Sequence, residues 1–321
     1  MTDIQPVQAL PSASPAAGRR ITVILNLRAG SGEKPALRQA IEEALAPAGD
    51  RLAIVDVAPP ARLAALCDRH ASEAATCGGM LVAVGGDGTI NAVASACLRH
   101  GVAMGVIPAG TFNYFARQLG IPQDAAEAAR LLLAPALRRV TVAKVNEQVF
   151  LNNASFGLYS RIIREREQDK ARFGRSRIVA VLSAVATLLA GYRPFAVKIA
   201  SARHEQVRRT AMVFVCHNEL QLARLELDAV QCARERRLAV LLLRPVTRFG
   251  AAKLLWHGAT RRLNQNESLE TFCADAFSAA TRKRRIDVVV DGEIVRLATP
   301  LDFRILPDAL TVAVPHDGLP A

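Results

Sequence analysis

From Arg20 onward, short apolar runs rich in β-branched residues alternate with longer stretches whose apolar positions recur at helical spacing. The runs Ile21 to Leu25, Leu52 to Val57, Met80 to Val84 and Ala103 to Ile107 predict strands; Pro35 to Ala46, Pro60 to Thr76 and Thr89 to Arg99 predict helices. Such alternation makes a parallel sheet covered by helices, because parallel neighbours need a long crossover. After Leu137 the pattern changes. Strand-like runs at Val140 to Val145, Val149 to Asn153, Phe195 to Ala200, Thr210 to Cys216, Leu238 to Arg244, Ile286 to Val290 and Leu310 to Val314 fit a β-sandwich-like domain with inserted helices. One stretch stands apart: from Ser176 to Ala190 the apolar residues fall at helical spacing and present one broad face, with Arg172, Arg175 and Arg177 just before it.

A chain of 321 residues, 51% hydrophobic and 22% charged, is long enough for about two domains, each with its own core. The longest nearly uncharged apolar run, Ile178 to Ala190, has 13 residues. A membrane-spanning helix needs roughly 20. Met1 to Gly18 carries three prolines, no basic residue and no apolar centre, so it reads as a loose, disordered tail rather than a signal peptide. The six cysteines show no CxxC spacing and the six histidines no HExxH, which points to a reducing cytosol without structural zinc.

The formal net charge of +12 is unevenly placed. Residues 1–140 carry 13 Lys+Arg against 11 Asp+Glu; residues 141–321 carry 28 against 18. The basic clusters are Arg161 to Arg177, Arg234 to Arg262 and Arg282 to Arg285. Charge of this sign attracts an anionic partner, a membrane leaflet or a nucleic acid. Nucleic acid is disfavoured by three Tyr, one Trp and no reader motif.

The expected carboxyl ends of the parallel strands, where such sheets bind ligands, carry unusual loops. Asn26-Leu27-Arg28-Ala29-Gly30-Ser31-Gly32 follows the first strand and runs into a helix, so backbone N–H groups there could meet a phosphate. Val84-Gly85-Gly86-Asp87-Gly88-Thr89 follows the third. An Asp within a phosphate-cradling loop would repel its ligand unless a cation lay between them, so Asp87 implies Mg²⁺. The dinucleotide pattern fails, since Asn91 stands where a third glycine is needed. Pro108 to Arg117 follows the fourth strand, with Gly110 allowing close approach and Thr111 and Asn113 supplying short polar side chains.

These motifs resemble the diacylglycerol kinase catalytic-domain family, which includes bacterial soluble lipid kinases and the sphingosine and ceramide kinases. The resemblance rests on Asn26 to Gly30, on Gly85-Gly86-Asp87-Gly88-Thr89 and on Pro108 to Arg117. Phe150 to Gly157 and Asp291-Gly292-Glu293 extend it over most of the chain. It implies an α/β nucleotide-binding domain like that of NAD kinases (20–139 with a returning 299–315) and a β-rich lipid-substrate domain (140–298). The implied reaction is transfer of the ATP γ-phosphoryl group to a primary lipid hydroxyl, most simply diacylglycerol to phosphatidic acid, by a cytoplasmic enzyme that meets the membrane transiently. Carried over by position, Asn26, Gly30, Ser31, Gly32, Gly85, Gly86, Asp87, Gly88, Thr89, Gly110, Thr111 and Asn113 would contact nucleotide. Asp87 would also orient Mg²⁺, and Glu293 would be the general base.

The chain departs from the family pattern at two carboxylate positions, which here hold Ala92 and Tyr114. A nucleotide-binding pseudoenzyme acting as a membrane-associated regulator, and an NAD kinase-like enzyme sharing the GGDGT motif, are the alternative readings.

Overall fold

Strand β1 (Ile21–Leu25) has every side chain buried, as a strand covered by helices on both faces must. It pairs in parallel with β2 (Leu52–Asp56) and β3 (Met80–Gly85), and β3 pairs in parallel with β4 (Ala103–Pro108). Helices α1 (Lys34–Leu45), α2 (Leu63–Cys77) and α3 (Asp87–His100) form the crossovers. The last two stop at Gly78 and Gly101, whose left-handed φ of 64° and 67° turns the chain into the next strand. Two short helices follow, α4 (Tyr114–Gln118) and α5 (Ala125–Leu131), the second capped by Asp124, which accepts from the Glu127 N–H at 2.9 Å.

The computed structural model describes residues 18–26, 34–161, 163–164, 194–201, 205–224, 229–245 and 268–316. The expected tail before Gly18, the turn Gly30-Ser31-Gly32 and the apolar stretch Ser176 to Ala190 lie outside these residues.

The second half is built from β5 (Ala136–Val145), β6 (Gln148–Phe150), β7 (Asn153–Gly157), β8 (Phe195–Ala200), β9 (Glu205–Thr210) and β10 (Met212–Cys216). Helices α6 (Glu219–Arg224) and α7 (Val230–Arg234) come next. They lead into β11 (Leu238–Leu243), β12 (Leu269–Ala274), β13 (Ala276–Thr281), β14 (Arg285–Val290), β15 (Glu293–Ala298) and β16 (Leu301–Val314). A six-stranded antiparallel sheet has the order β12-β11-β10-β7-β14-β15. It faces β8, β13 and the first part of β16 across a core that includes Phe156, Val215, Val240, Phe277 and Phe303. The expected β-sandwich-like architecture is therefore present, alongside the expected parallel α/β sheet.

Strand β16 joins the two halves. Its end pairs in parallel with β4 at Val312 and Met104, while its beginning pairs antiparallel with β13 at Phe303 and Phe277. Along its length it pairs with β5 from Phe303–Val145 to Val314–Ala136, so one ten-stranded sheet passes through both cores. Leu310, Val312 and Val314 belong to the first core; Leu301, Phe303 and Ile305 belong to the second.

Some elements differ from the sequence expectation. Strand β5 begins at Ala136, and β16 at Leu301. The run Val149 to Asn153 is divided between β6 and β7, because the N–H groups of Leu151 and Asn152 turn to a side chain, Asp291, instead of a neighbouring strand. Cys232 of α7 and Cys273 of β12 form a disulfide with Cα atoms 5.4 Å apart, a pairing their separation of 41 residues gave no sign of.

Phe303 is the centre of an aromatic stack, with ring centroids 4.7 Å from Phe277 and 6.4 Å from Phe156. Phe303→Ala is expected to cost about 3–5 kcal/mol of stability. Urea unfolding checks this, and an unshifted midpoint would mean that the stack contributes nothing.

Candidate active site

Parallel strands bring their carboxyl ends to one edge, and three loops meet there. Asn26 follows β1 and donates its N–H to the Val84 carbonyl, while Ala109 after β4 donates to the Gly85 carbonyl. The Asn26 side chain crosses to the second loop, its Nδ2 donating to Thr89 Oγ1 at 3.0 Å. The third loop lies so close that a Cβ on Gly110 would stand 2.8 Å from the Gly86 Cα. Asn26, Gly85–Thr89 and Gly110–Asn113 thus form one surface.

Within it the expected residues take different parts. Asn113 is buried, and its amide is engaged inside its own loop: Oδ1 accepts from the Gly110 N–H, and Nδ2 donates to the Gly110 carbonyl and to Gln123 Oε1. What it offers outward is its backbone N–H, directed at Asp87. Thr111 is exposed. Tyr114, at one of the positions where a carboxylate is expected, stacks on the exposed Phe112 with centroids 5.8 Å apart. Ala92, at the other, packs against the first core.

Asp87 opens α3. Its Oδ1 is buried with no hydrogen-bond partner among the described residues, and the same holds for Oδ1 of Asn26. Burial, then the nearby charge of Asp291, push the Asp87 carboxyl up to about 6, against the N–H groups of Asn113 and of Asp87 itself. A buried carboxylate oxygen without a donor, beside a second carboxylate, is a position that a cation can satisfy. No group of three or more His, Cys, Asp or Glu side chains capable of holding a metal occurs among the described residues, so a cation here would take its remaining ligands from water and substrate.

The turn between β14 and β15 supplies the opposite wall. Asp291 is fully engaged: Oδ2 accepts from the Leu151 N–H and Asn91 Nδ2, both at 2.7 Å, and Oδ1 from the N–H groups of Asn152 and Asn153 at 2.8 and 3.0 Å. Burial pushes its carboxyl up while these four donors pull it down. With donors facing both oxygens there is no acceptor for a proton, so the geometry suits the ionised form. Glu293, two residues on, is exposed, and its Oε1 lies 3.2 Å from where a Cβ on Gly88 would sit. Glu293 and the Gly85–Thr89 loop, some 200 residues apart in the chain, are therefore in contact range.

A layer of polar residues behind this wall was not anticipated. Asn91 donates to both Asp291 and the Val149 carbonyl, tying α3 to the second half. Asn218 Nδ2 donates to Asn152 Oδ1 at 2.8 Å, and Asn153 Nδ2 donates to Gln221 Oε1 at 2.9 Å. His217 is buried, and burial pushes its pKa down to about 4 against its contact with the Phe150 carbonyl. It stays neutral, with Nε2 donating to that carbonyl at 3.2 Å. The available signal was a polar run, His217-Asn218-Glu219, placed directly after the apolar strand β10.

Residues 20–145 match the family model of the diacylglycerol kinase catalytic domain. A "Probable lipid kinase YegS-like" of Klebsiella pneumoniae (strain 342) is 43% identical over 98 residues, covering 29% of this chain and 33% of the relative. A "Probable lipid kinase YegS" of Salmonella arizonae is 41% identical over 100 residues, with the same coverage. The matched stretch spans about a third of these relatives' length. A crystal structure of a diacylglycerol kinase from Bacillus anthracis str. Sterne superimposes with a TM-score of 0.71 at 24% identity, covering 93% of this chain and 98% of that one. At that identity the likeness is one of fold, and it extends to both halves.

Two stability effects follow. Because folding raises the Asp87 pKa, the protonated form is favoured: the stabilisation is present below the ordinary carboxylate value and is lost as pH rises through about 6. Without metal or nucleotide, Asp87→Asn should stabilise the protein by about 2–3 kcal/mol near pH 8, a gain shrinking towards zero as pH falls. Thermal melts across pH test this; a gain independent of pH would contradict it. Asp291→Ala leaves three buried N–H groups without their acceptor and is expected to cost at least about 3 kcal/mol. A wild-type urea midpoint in that variant would refute the count.

Proposed function

We propose, on the match of residues 20–145 to the family model of the diacylglycerol kinase catalytic domain, that the chain is an ATP- and Mg²⁺-dependent lipid kinase of that family. It would transfer the γ-phosphoryl group to a primary lipid hydroxyl, with diacylglycerol the preferred acceptor and phosphatidic acid the product. The observation that carries this reading is the approach of Glu293 to Gly88 beside Asp87. It sets a solvent-accessible carboxylate against a glycine-lined loop whose own aspartate has an unsatisfied oxygen.

In this reading residues 20–139 and 299–315 bind nucleotide, and 140–298 present the lipid. Glycines 85, 86, 88 and 110 let amides approach the phosphates, as would Gly30 to Gly32 with Ser31, while Asn26, Thr89, Thr111 and Asn113 shape the surface around them. Asp87 would hold Mg²⁺. When bound, the ion offsets the charge of the β and γ phosphates during transfer. Glu293 Oε1 would take the proton of the acceptor hydroxyl as the hydroxyl oxygen bonds to the γ-phosphorus and the bond from that phosphorus to the departing ADP oxygen breaks. Asp291 holds the turn that aims Glu293 and is not itself free to accept a proton, because N–H donors occupy both of its oxygens.

We further place the protein in the cytoplasm with transient contact to an anionic membrane, and expect no nucleic-acid partner. Among the described residues no helix is long and apolar enough to cross a membrane. A nucleotide-binding pseudoenzyme is the second reading, favoured by Ala92 and Tyr114 in place of two carboxylates.

Radiolabelled ATP offered with diacylglycerol, monoacylglycerol, ceramide, sphingosine and NAD separates these readings. Label is expected in phosphatidic acid. Transfer to NAD alone would replace the lipid assignment, and ATP binding without any transfer would favour the pseudoenzyme. Glu293→Gln should lower kcat about 10²–10⁴-fold while ATP still binds; full turnover would remove Glu293 as the base.

A further inference from the structure

The Cys232–Cys273 disulfide lies in a third apolar cluster, on the far side of the six-stranded sheet from the second core. Side chains alternate along a strand, so β10 and β11 give Val213, Val215, Val240 and Leu242 to the second core and Phe214, Cys216, Ala239 and Leu241 to this cluster. Leu222 of α6, then Ala229 and Cys232, fill it from above. With five residues, α7 has little stability of its own. What seats it is this cluster and the covalent bond to β12, and its Arg234 Nε reaches back to Glu219 Oε1 of α6 at 2.8 Å.

The start of α6 holds the loop that binds Asp291. Asn218 Oδ1 accepts from the Gln221 N–H at 2.9 Å, and Asn218 Nδ2 donates to Asn152 Oδ1. Gln221 Oε1 accepts from Asn153 Nδ2 at 2.9 Å and from Cys216 Sγ, a member of the cluster, at 3.5 Å. Asn152 and Asn153 thus give their side chains to this layer and their backbone N–H groups to Asp291. A short run of bonds therefore leads from the seat of the disulfide to the turn that carries Glu293.

We propose that Cys232 and Cys273 form a thiol–disulfide switch: the disulfide seats α7 and α6 and so keeps residues 151–153 on Asp291, and the dithiol loosens that hold. Cys273 is half-buried and Cys232 buried, so an external dithiol meets Cys273 first. Its thiolate attacks the Cys273 Sγ, the S–S bond breaks, and the electron pair leaves on the Cys232 sulfur, which takes up a proton. The reductant's second thiolate then displaces the Cys273 sulfur, which is protonated in turn, leaving two protein thiols and the reductant as its disulfide. Exchange with an external disulfide reverses the sequence. As a control on phosphoryl transfer the switch rests on the lipid-kinase reading; its coupling to the loop does not.

The test is hydrogen exchange of the full chain, read by mass spectrometry, after treatment with oxidised glutathione or with dithiothreitol, and with alkylation to count thiols. Peptides covering Leu151 to Asn153 should exchange about tenfold faster in the reduced protein, while those of β1 and β3 stay unchanged. The double variant Cys232→Ser, Cys273→Ser should behave as the reduced protein under both treatments, which separates this pair from the other four cysteines. Faster exchange confined to α7 and β12, with 151–153 unmoved, would make the disulfide a staple only and overturn the switch. Failure of the two thiols to pair after oxidation would overturn it as well. Transfer of label from ATP to lipid should fall about tenfold or more on reduction, as expected when Glu293 is less firmly aimed. Equal turnover in both states would remove the control on activity. A loop that responds in a protein with no turnover in either state keeps the coupling and sinks the kinase reading instead.

Discussion

The arrangement depends on one buried carboxylate. Asp291 gathers the N–H groups of Leu151, Asn152 and Asn153 and the amide of Asn91 onto two oxygens. Charge-assisted bonds of this kind contribute about 1.5–3 kcal/mol each, and removing the acceptor leaves buried donors whose desolvation is uncompensated. Through Asn91 the same carboxylate fixes α3, whose first residue is Asp87. The second half of the chain therefore determines where the aspartate of the first half lies. Holding Asp291 ionised also places a negative charge near Asp87, which helps to raise that group to about 6. Two carboxylates so placed destabilise an empty site and favour a divalent cation, so the strain has a direction that matches the proposed chemistry.

A carboxylate that spans two halves needs those halves held in register. Strand β16 does this, because its two ends lie in different cores and β5 pairs with it along nearly its whole length. Relative movement of the halves would have to bend or break that sheet. The proposed nucleotide side and acceptor side are then parts of one hydrogen-bonded framework, and the 3.2 Å approach of Glu293 to the Gly88 position comes from the fold itself.

The sequence was legible where burial on both faces makes a strand a continuous apolar run. Strands β1, β3 and β4 stood out for that reason, the half-buried edge strand β2 by its apolar run and the three crossover helices by helical spacing, and the glycine-rich loops could be placed at strand ends. Legibility fell where strands carry charge. In β9 the sequence Glu-Gln-Val-Arg-Arg-Thr alternates exposed and half-buried positions on a sheet edge, so no apolar run marks it. The first part of β16 alternates buried with exposed positions, β12 and β13 are short and mostly half-buried, and Pro307-Asp308 interrupts β16 where its pairing with β5 shifts register. Asp291 and Glu293 were visible as a turn motif, yet nothing in their spacing assigned one to scaffolding and the other to solvent. That division comes from Leu151 to Asn153 turning their N–H groups to Asp291, a contact across about 140 residues.

Charge is arranged in opposition along the same hairpin. Buried Asp291 and exposed Glu293 occupy one end, while exposed arginines, Arg285 and Arg296 among them, lie at the other. Were the basic cluster a general solubilising surface, it would be expected to intersperse acidic partners, as the first half does with Arg38–Asp56, Arg69–Glu73 and Arg99–Asp68. Among the described residues around Arg285 and Arg296, the one carboxylate, Asp287, is paired with Arg164. The two kinds of charge are thus kept apart along one ribbon, Arg296 lying roughly 10 Å along the strand from Glu293.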